Sequence, residues 1–259
     1  MATRDVLDVF EQVCAAVAHM HGRQLAHRDV KPHNVLVVRP EHNVARGGTS
    51  VFEDEDGDGS ASGDDGLADA DAAERGEPPS AGTAQPQPQQ QQQQRAPKRR
   101  RRRRYGAVLM DFGSARAAVV AVTNRADALA LQEDAEAHCT ATYRAPELFD
   151  VGTYSTLDAR VDVWSLGCTL YHMLYGASPF QEALDRGASL PLAVMNCRIP
   201  WPKPPAPRYP QELHDLVSSC LTPDPAARPT SDQLLARVRG LRRRPLPDAA
   251  PQPAAAARR

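Results

Sequence analysis

The chain has 259 residues, of which 41% are hydrophobic and 24% charged, with 31 basic and 32 acidic side chains. This length provides for one large domain or two small ones, and the net charge of -1 gives no reason to expect a nucleic-acid-binding protein from the chain as a whole. The five cysteines are far apart and have no Cys-x-x-Cys spacing, which argues against a disulfide framework or a structural zinc site and favours a reducing compartment.

The first predicted elements are a helix and a small hairpin. Apolar side chains recur at three- and four-residue steps from Val6 to Val17, which predicts a helix with one apolar stripe, and Gly22 marks its end. Residues 34–38 and 107–110 are short apolar runs rich in valine. We expect these two runs to pair as the strands of one hairpin.

Two further helices are predicted in the second half of the chain. Residues 161–175 are apolar nearly all round, which is typical of a helix buried at the centre of a domain. Thr230 and Gln233 have the spacing of a capping box, which predicts that a last helix spans 231–241. The ordered part of the chain is therefore expected to be mainly α.

Composition separates ordered from low-complexity segments. Residues 53–77 hold 11 acidic side chains and one arginine, residues 85–94 hold eight glutamines, and residues 95–104 hold eight basic side chains. Such segments bury too little apolar surface to offset the entropy of ordering, which is about 1–2 kcal/mol per residue for the backbone. Four regions are predicted: an ordered part at 1–38, a disordered insert at 39–104, a second ordered part at 105–242, and a disordered tail at 243–259.

The first motif with catalytic character is the octapeptide HRDVKPHN, residues 27–34, between the first helix and the first strand. In this pattern Asp29 can accept the proton of a substrate hydroxyl, and Asn34 can hold a metal ion on the phosphates. Lys31 can place a positive charge on the transferring phosphoryl group. A surface turn with incidental charges would explain His-Arg-Asp alone, but the full octapeptide ahead of a strand favours catalysis.

Three more motifs follow in order: DFG at 111–113, TATYRAPE at 140–147 and DVWSLG at 162–167. A DFG tripeptide alone is common, but here it directly follows the second strand. Four motifs in this order resemble the C-terminal lobe of eukaryotic protein kinases, over residues 4–38 and 105–241. The finer sequence pattern is most similar to the Numb-associated kinase family, and Lys31 resembles serine/threonine rather than tyrosine kinases.

The resemblance implies a role for each motif residue that takes part in the reaction. Asp29 is the base, and Lys31 and Thr140 position the phosphoryl group and the substrate. Asn34 and Asp111 hold the magnesium ion, and together with Lys31 they bind the ATP phosphates.

Other motif residues are expected to be structural. Glu147 is expected to form a buried ion pair with Arg228, which shapes the lobe rather than the chemistry. Asp162 is expected to accept hydrogen bonds from the backbone of the HRD turn and so to hold the base in place. The remaining structural members of the motifs are His27, Arg28, Phe112 and Gly113.

The implied function is phosphoryl transfer from ATP, with Mg2+, to serine or threonine hydroxyls of a protein substrate. No glycine-rich loop, strand lysine or helix-C glutamate precedes His27, so the N-terminal lobe that covers ATP is expected to be missing. The expected fold is a kinase C-terminal lobe with a small β-hairpin and a long disordered insert, and the chain alone is expected to transfer phosphate at background. An inactive C-lobe that serves as a binding or scaffolding module is the alternative.

The basic run from Lys98 to Arg104 leaves a third interpretation open, nuclear import or nucleic-acid binding. A solvated tract, neutralised by the acidic residues upstream, explains the run equally well, and no interleaved aromatic residues support base stacking.

The longest apolar run, residues 117–122, is too short to span a bilayer, and Ala2 replaces the glycine needed for myristoylation. We therefore expect a cytoplasmic protein without a membrane anchor in this chain, with nuclear entry through the basic run as the alternative.

Overall fold

The computed structural model describes residues 1–39, 104–201 and 209–248. The predicted insert at 39–104 therefore lies outside the described residues except at its two ends, and so does the predicted tail beyond residue 248. Within the described ranges, no helix is long and apolar enough to cross a membrane.

Helices dominate the described part of the chain, which confirms the mainly α prediction. The α-helices are α1 (Thr3–Gly22), α2 (Arg125–His138), α3 (Arg160–Tyr175), α4 (Gln181–Asp185), α5 (Leu190–Asn196), α6 (Gln211–Cys220) and α7 (Ser231–Arg243). The strands are β1 (Leu25–Ala26), β2 (Val35–Val38), β3 (Gly106–Leu109), β4 (Arg116–Ala117), β5 (Val120–Val122) and β6 (Ser155–Leu157).

The strands form three separate antiparallel pairs within the described residues, where the sequence predicted one. β2 and β3 are the predicted hairpin, and Val35 lies opposite Leu109. β1 pairs with β4, and β5 pairs with β6. These two additional pairs have only two or three residues per strand, so they leave no alternating pattern in the sequence from which to predict them.

The core is centred on α3, which is buried on nearly all sides as its composition predicted. Trp164, Leu166 and Leu170 are fully buried, and α3 packs against α6 and α1. The apolar stripe of α1, from Val6 to Val17, is also buried, and α1 lies along α7. Full burial of one such large apolar side chain stabilises the folded state by roughly 1.5–3 kcal/mol. The core therefore fixes the positions of the loops that leave these helices.

α7 begins with the predicted capping box and ends later than predicted. The N–H of Gln233 donates to Thr230 Oγ1 at 3.2 Å, and the N–H of Thr230 donates to Gln233 Oε1 at 3.0 Å. The helix continues through Arg243, and further along the chain Asp248 Oδ1 accepts a hydrogen bond from the N–H of Thr3 at 3.2 Å. Asp248, which lies within the predicted tail at 243–259, therefore contacts the start of α1, while the tail boundary itself stays a prediction.

A pair of glycine substitutions tests how tightly α3 packs on α6. A Cβ atom added at Gly167 would lie 2.6 Å from Cys220 Cβ and 3.0 Å from Leu221 Cδ2, whereas one added at Gly240 in α7 meets nothing within 4 Å. Gly167→Ala should lower the free energy of unfolding by about 1–3 kcal/mol through overpacking. Gly240→Ala should raise it by about 0.5–1 kcal/mol, since alanine favours helix. Denaturant unfolding measures both, and equal effects would contradict the close contact.

Candidate active site

The loop formed by residues 27–34, here called the catalytic loop, connects β1 to β2 and has a strained backbone. Arg28 has a φ of 68°, in the left-handed region that non-glycine residues rarely adopt. Asp162, fully buried in the first turn of α3, accepts hydrogen bonds from the N–H groups of His27 and Arg28, both at 2.7 Å. The Nε2 atom of His21 lies 2.9 Å from the same carboxylate. Asp162 therefore fixes the turn that carries the next residue, Asp29.

Substitution of Asp162 tests this support. Asp162→Asn turns one acceptor oxygen into an amide nitrogen, so a buried N–H of the turn loses its partner, and we expect stability to fall by about 1–3 kcal/mol. Asp232, an exposed acid in the first turn of α7, provides the matched control, and Asp232→Asn should change stability by no more than about 0.5 kcal/mol. Similar losses in both variants, measured by denaturant unfolding, would contradict the role of Asp162.

Asp29, Lys31, Asn34 and Thr140 form one hydrogen-bonded cluster. Oδ2 of Asp29 accepts from Lys31 Nζ at 2.6 Å and from Asn34 Nδ2 at 3.1 Å. Oδ1 of Asp29 accepts from the N–H of Thr140 at 2.9 Å, and Lys31 Nζ also donates to Thr140 Oγ1 at 2.6 Å. The fold thus brings Thr140, far along the chain, into contact with the catalytic loop.

Opposing effects act on the pKa of Asp29. Burial raises this pKa, but the hydrogen bonds from Lys31 and Thr140 and the charge of Lys31 outweigh burial, so the net shift is downward. Asp29 is therefore an ionised acceptor at neutral pH. Both carboxylate oxygens of Asp29 accept hydrogen bonds, from Lys31 and Asn34 on one oxygen and from the N–H of Thr140 on the other.

His27 joins the catalytic loop to the segment that follows β3. Its Nδ1 accepts a hydrogen bond from the N–H of Asp29 at 3.3 Å, and its Nε2 lies 3.1 Å from the carbonyl oxygen of Met110. These two contacts assign the ring proton to Nε2. The ring centroid of His27 lies 5.5 Å from that of Phe112, so the DFG segment packs directly on the catalytic loop.

Asn34 and Asp111 supply the oxygen atoms of a candidate magnesium site. The N–H of Met110 donates to the carbonyl oxygen of Asn34 at 2.8 Å, so Asp111 follows directly at the same end of the β2–β3 hairpin. The Nδ2 atom of Asn34 is engaged by Asp29, so Oδ1 is the atom through which this side chain would bind a metal ion. Asp111 is exposed and accepts a hydrogen bond from the N–H of Gly113 at 3.3 Å.

This donor set fits magnesium but does not enclose it. Carboxylate and amide oxygens are ligands that Mg2+ prefers, and Mg2+ usually completes its shell with water and phosphate oxygens. Among the described residues, no group of three or more His, Cys, Asp and Glu side chains could hold a metal ion by itself. The site is therefore suited to an ion that arrives with phosphate groups.

Helix α2 and its residue Asp134 were not predicted from the sequence. The helix begins after Asn124, whose side chain accepts a hydrogen bond from the N–H of Asp127 at 2.9 Å, so this capping residue ahead of an alanine-rich run was an available signal. Asp134 lies 2.5 Å from Nη1 of Arg28 and 3.0 Å from Nη2 of Arg116. The HRD arginine thus has a charged partner on α2.

Glu147 and Arg228 form a bidentate ion pair away from the Asp29 cluster. The two Nη atoms of Arg228 lie 2.6 and 2.7 Å from the two carboxylate oxygens of Glu147. The guanidinium also lies over the ring of Trp164 at 5.0 Å and donates to the backbone carbonyl groups of Thr222, Arg160 and Pro223. These contacts connect the end of residues 140–147 to α3 and to the loop before α7.

Comparisons with known proteins find protein kinases. The protein kinase domain family matches residues 102–238. Serine/threonine-protein kinase 16 of Mus musculus is 44% identical over 134 residues, which are 52% of this chain and 43% of the relative. Serine/threonine-protein kinase ppk13 of Schizosaccharomyces pombe is 40% identical over 131 residues (51% and 38%), and ENV7 of Saccharomyces cerevisiae, also a serine/threonine-protein kinase, is 37% identical over 129 residues (49% and 35%). The chain spans less than half the length of these relatives.

Proposed function

This chain belongs to the protein kinase family, and from that premise we propose that it carries the catalytic loop of a serine/threonine kinase. The reaction would transfer the terminal phosphoryl group of ATP to serine or threonine hydroxyls of a protein. The observation that carries the proposal is the contact of Asp29 with both Lys31 and Thr140, since it places a hydroxyl acceptor beside a positive charge. The names of the matched relatives support the choice of serine and threonine as acceptors.

The geometry of Asp29 suggests when the proton moves. An ionised carboxylate with a lowered pKa is a weak base, so Asp29 first accepts a hydrogen bond from the substrate hydroxyl and orients its oxygen. The proton passes to Asp29 as the hydroxyl oxygen bonds to phosphorus and becomes more acidic, while the bond from that phosphorus to the oxygen of the leaving ADP breaks. Lys31, at 2.6 Å from the same carboxylate, offsets negative charge on the phosphoryl group.

Asn34 and Asp111 are the residues that would hold magnesium. When bound there, Mg2+ would neutralise charge on the phosphates of ATP. The contact of Asn34 Nδ2 with the backbone oxygen of Asp29, at 2.8 Å, ties the orientation of this ligand to the position of the base. Binding of the metal and placement of the hydroxyl are therefore proposed to depend on the same loop.

A nucleotide-covering lobe is proposed as the structural partner of this chain. Apolar side chains at and after the β2–β3 hairpin are 38–55% exposed, which is unusual for neighbouring large apolar residues and supports a cover for this surface. The residues are Leu36, Val37, Val108, Met110 and Phe112. The alternative, an inactive binding module, would present the same surface to a different protein.

Finer assignments also remain proposals. Placement in the Numb-associated kinase family, near the myristoylated and palmitoylated serine/threonine kinase, is supported by the sequence at residues 27–37, 108–115, 128–149 and 162–176. We also propose a cytoplasmic location, with nuclear entry through Lys98–Arg104 as the alternative. This basic run lies almost entirely outside the described residues.

A chimera tests the proposed function. The nucleotide-covering lobe of a well-characterised protein kinase, with its glycine-rich loop and strand lysine, is fused ahead of residue 1. With radiolabelled ATP, magnesium and a protein substrate, the chimera should label serine or threonine, whereas the chain alone should remain at background. A folded chimera that binds ATP but transfers no phosphate would contradict the proposal and favour the binding module.

A further inference from the structure

Two histidines, His33 and His172, lie beside the Asp29 cluster, and the catalytic motifs assign no role to either of them. His33 belongs to the short turn Pro32–Asn34, and its side chain is exposed. His172 lies on α3, which packs both on this turn and on the turn Ala141–Tyr143. The two rings are thus neighbours on the surface next to the proposed base.

We propose that His33 and His172 form a subsite for an anionic side chain of the protein substrate. The group bound there is a carboxylate or a phosphate monoester, since both present oxygen atoms that accept hydrogen bonds from imidazole N–H groups. The inference rests on the proposed function and narrows its substrate class to proteins with an acidic or phosphorylated residue near the accepting serine or threonine.

A hydrogen bond from Tyr143 fixes the ring proton of His172. Oη of Tyr143 lies 2.6 Å from Nδ1 of His172, the one acceptor that the described residues offer to this buried side chain. Burial raises the pKa of Tyr143, so its hydroxyl keeps its proton and donates a hydrogen bond to Nδ1. Burial and, to a smaller extent, the neighbouring His33 lower the pKa of His172, so the neutral ring carries its single proton on Nε2.

This Nε2–H group is available to a ligand. Nε2 of His172 has no hydrogen-bond partner within the described ranges, and it is not one of their buried unpaired atoms, so it faces solvent. The ring of His33 is exposed and likewise has no partner in the described part of the chain. Two neighbouring rings therefore present N–H donors without a protein acceptor, and an anionic group would satisfy both.

An extended substrate bound at Asp29 can reach the two rings. Lys31 contacts Asp29 and lies two residues before His33. Thr140 also contacts Asp29 and lies three residues before Tyr143. Two and three residues of backbone span at most roughly 7 and 11 Å, and an extended peptide covers these distances in the same number of residues. The anionic residue is therefore expected within about four positions of the accepting hydroxyl.

The charges around the two rings favour an anion over a cation. Neither ring is paired with a carboxylate of the described residues, and the nearby carboxylate of Asp29 is held by Lys31 at 2.6 Å. A substrate lysine or arginine would lose water at this surface without gaining an opposite charge. An anion would gain hydrogen bonds from both rings.

Peptide substrates test the inference in the chimera. Each peptide holds one serine among alanines, with glutamate, phosphoserine, lysine or alanine at one of the four positions on either side. At one position or at two neighbouring ones, glutamate or phosphoserine should raise kcat/KM by roughly 10-fold or more over alanine, and lysine should not. The larger of the two effects identifies the anion that the subsite takes.

Substitutions assign this preference to the two rings. His33→Leu and His172→Leu should each lower the ratio of kcat/KM between the anionic peptide and the alanine peptide by roughly 3-fold or more, because each removes a donor. His172→Gln keeps an N–H donor and should retain part of the preference, and His172→Glu should reverse it in favour of the lysine peptide. His19→Leu, at an exposed histidine of α1, is the matched control and should keep the wild-type ratio.

Binding to the full 259-residue chain separates this inference from the proposed function. A wild-type chimera that phosphorylates none of the peptides would refute the proposed function. The NMR signals of the His33 and His172 rings in the chain alone should still shift with the glutamate or phosphoserine peptide and not with the lysine peptide. Signals that shift with none of the peptides would overturn the inference.

Two kinetic outcomes would also overturn it. One is a set of equal rates on the glutamate, phosphoserine and alanine peptides at every position, or a preference for lysine. The other is an anionic preference that survives in both His33→Leu and His172→Leu, because other residues would then bind the anion. His33 is exposed, so His33→Leu keeps this test valid even where loss of the Tyr143 contact unfolds His172→Leu.

Discussion

Asp29→Asn is expected to lower turnover by roughly 10²-fold or more while nucleotide binding stays close to that of the wild type. Asparagine keeps the size of the side chain but removes its charge and its ability to accept the proton. One of its terminal atoms becomes an amide nitrogen, which would face Lys31 Nζ or the N–H of Thr140 where a carboxylate oxygen accepts now. Initial rates and ATP affinity of the chimera measure the two effects separately.

Asp111→Asn provides the contrast for this prediction. Asp111 is exposed and makes no hydrogen bond with the Asp29 cluster within the described residues, so its loss should act on metal binding rather than on the proton. Turnover of Asp111→Asn should recover in part at excess magnesium, whereas that of Asp29→Asn should not. Near-normal turnover in Asp29→Asn, or its recovery with magnesium, would show that Asp29 is not the base.

The lowered pKa of Asp29 adds a pH dependence of known sign. A carboxyl group whose pKa is lower in the folded state stabilises that state above its unfolded pKa, about 4, and loses this contribution as pH falls through the folded value. The stability difference between the wild type and Asp29→Asn should therefore be constant near neutral pH and change in acid. Thermal unfolding of both proteins between neutral and acidic pH measures it.

The elements predicted from the sequence are those with a strong local signal. The apolar stripe of α1, the all-apolar α3 and the capping box at Thr230 each lie within one helix, so each could be recognised without knowing the fold. α2 has no such stripe, because only Ala128 and Ala135 are buried on it. β1 and β4 are two residues long and exist only because the fold brings them together.

The site could be predicted to the extent that its residues belong to contiguous motifs. Asp29, Lys31 and Asn34 lie within eight residues of sequence, so their spacing alone indicated the chemistry. Asp134 is 106 positions from Arg28, and an aspartate on a polar helix gives no local sign of that contact. Long-range ion pairs of this kind depend on tertiary packing, which the pattern of one segment does not contain.

Arg228→Ala is expected to cause the largest loss of stability, about 3–5 kcal/mol, because it leaves the carboxylate of Glu147 without its partner. The side chain of Arg228 is fully buried and that of Glu147 is 16% exposed. The carbonyl groups of Thr222, Arg160 and Pro223 would also lose a hydrogen-bond donor. Arg186→Ala is the matched control, since its pair with Glu182 on α4 is 74% and 58% exposed and should contribute no more than about 0.5 kcal/mol.

A double substitution separates the two sources of this loss. In Arg228→Met/Glu147→Leu the buried carboxylate is gone, so the part of the loss that comes from an unpaired charge should be recovered, while the three carbonyl groups still lack their donor. We therefore expect stability between that of Arg228→Ala and the wild type, measured by denaturant unfolding. Neither residue contacts Asp29, so turnover per folded molecule should be near normal in all these variants. A variant at Arg228 that abolishes turnover without loss of stability would place this pair in the chemistry instead of in the support of the lobe.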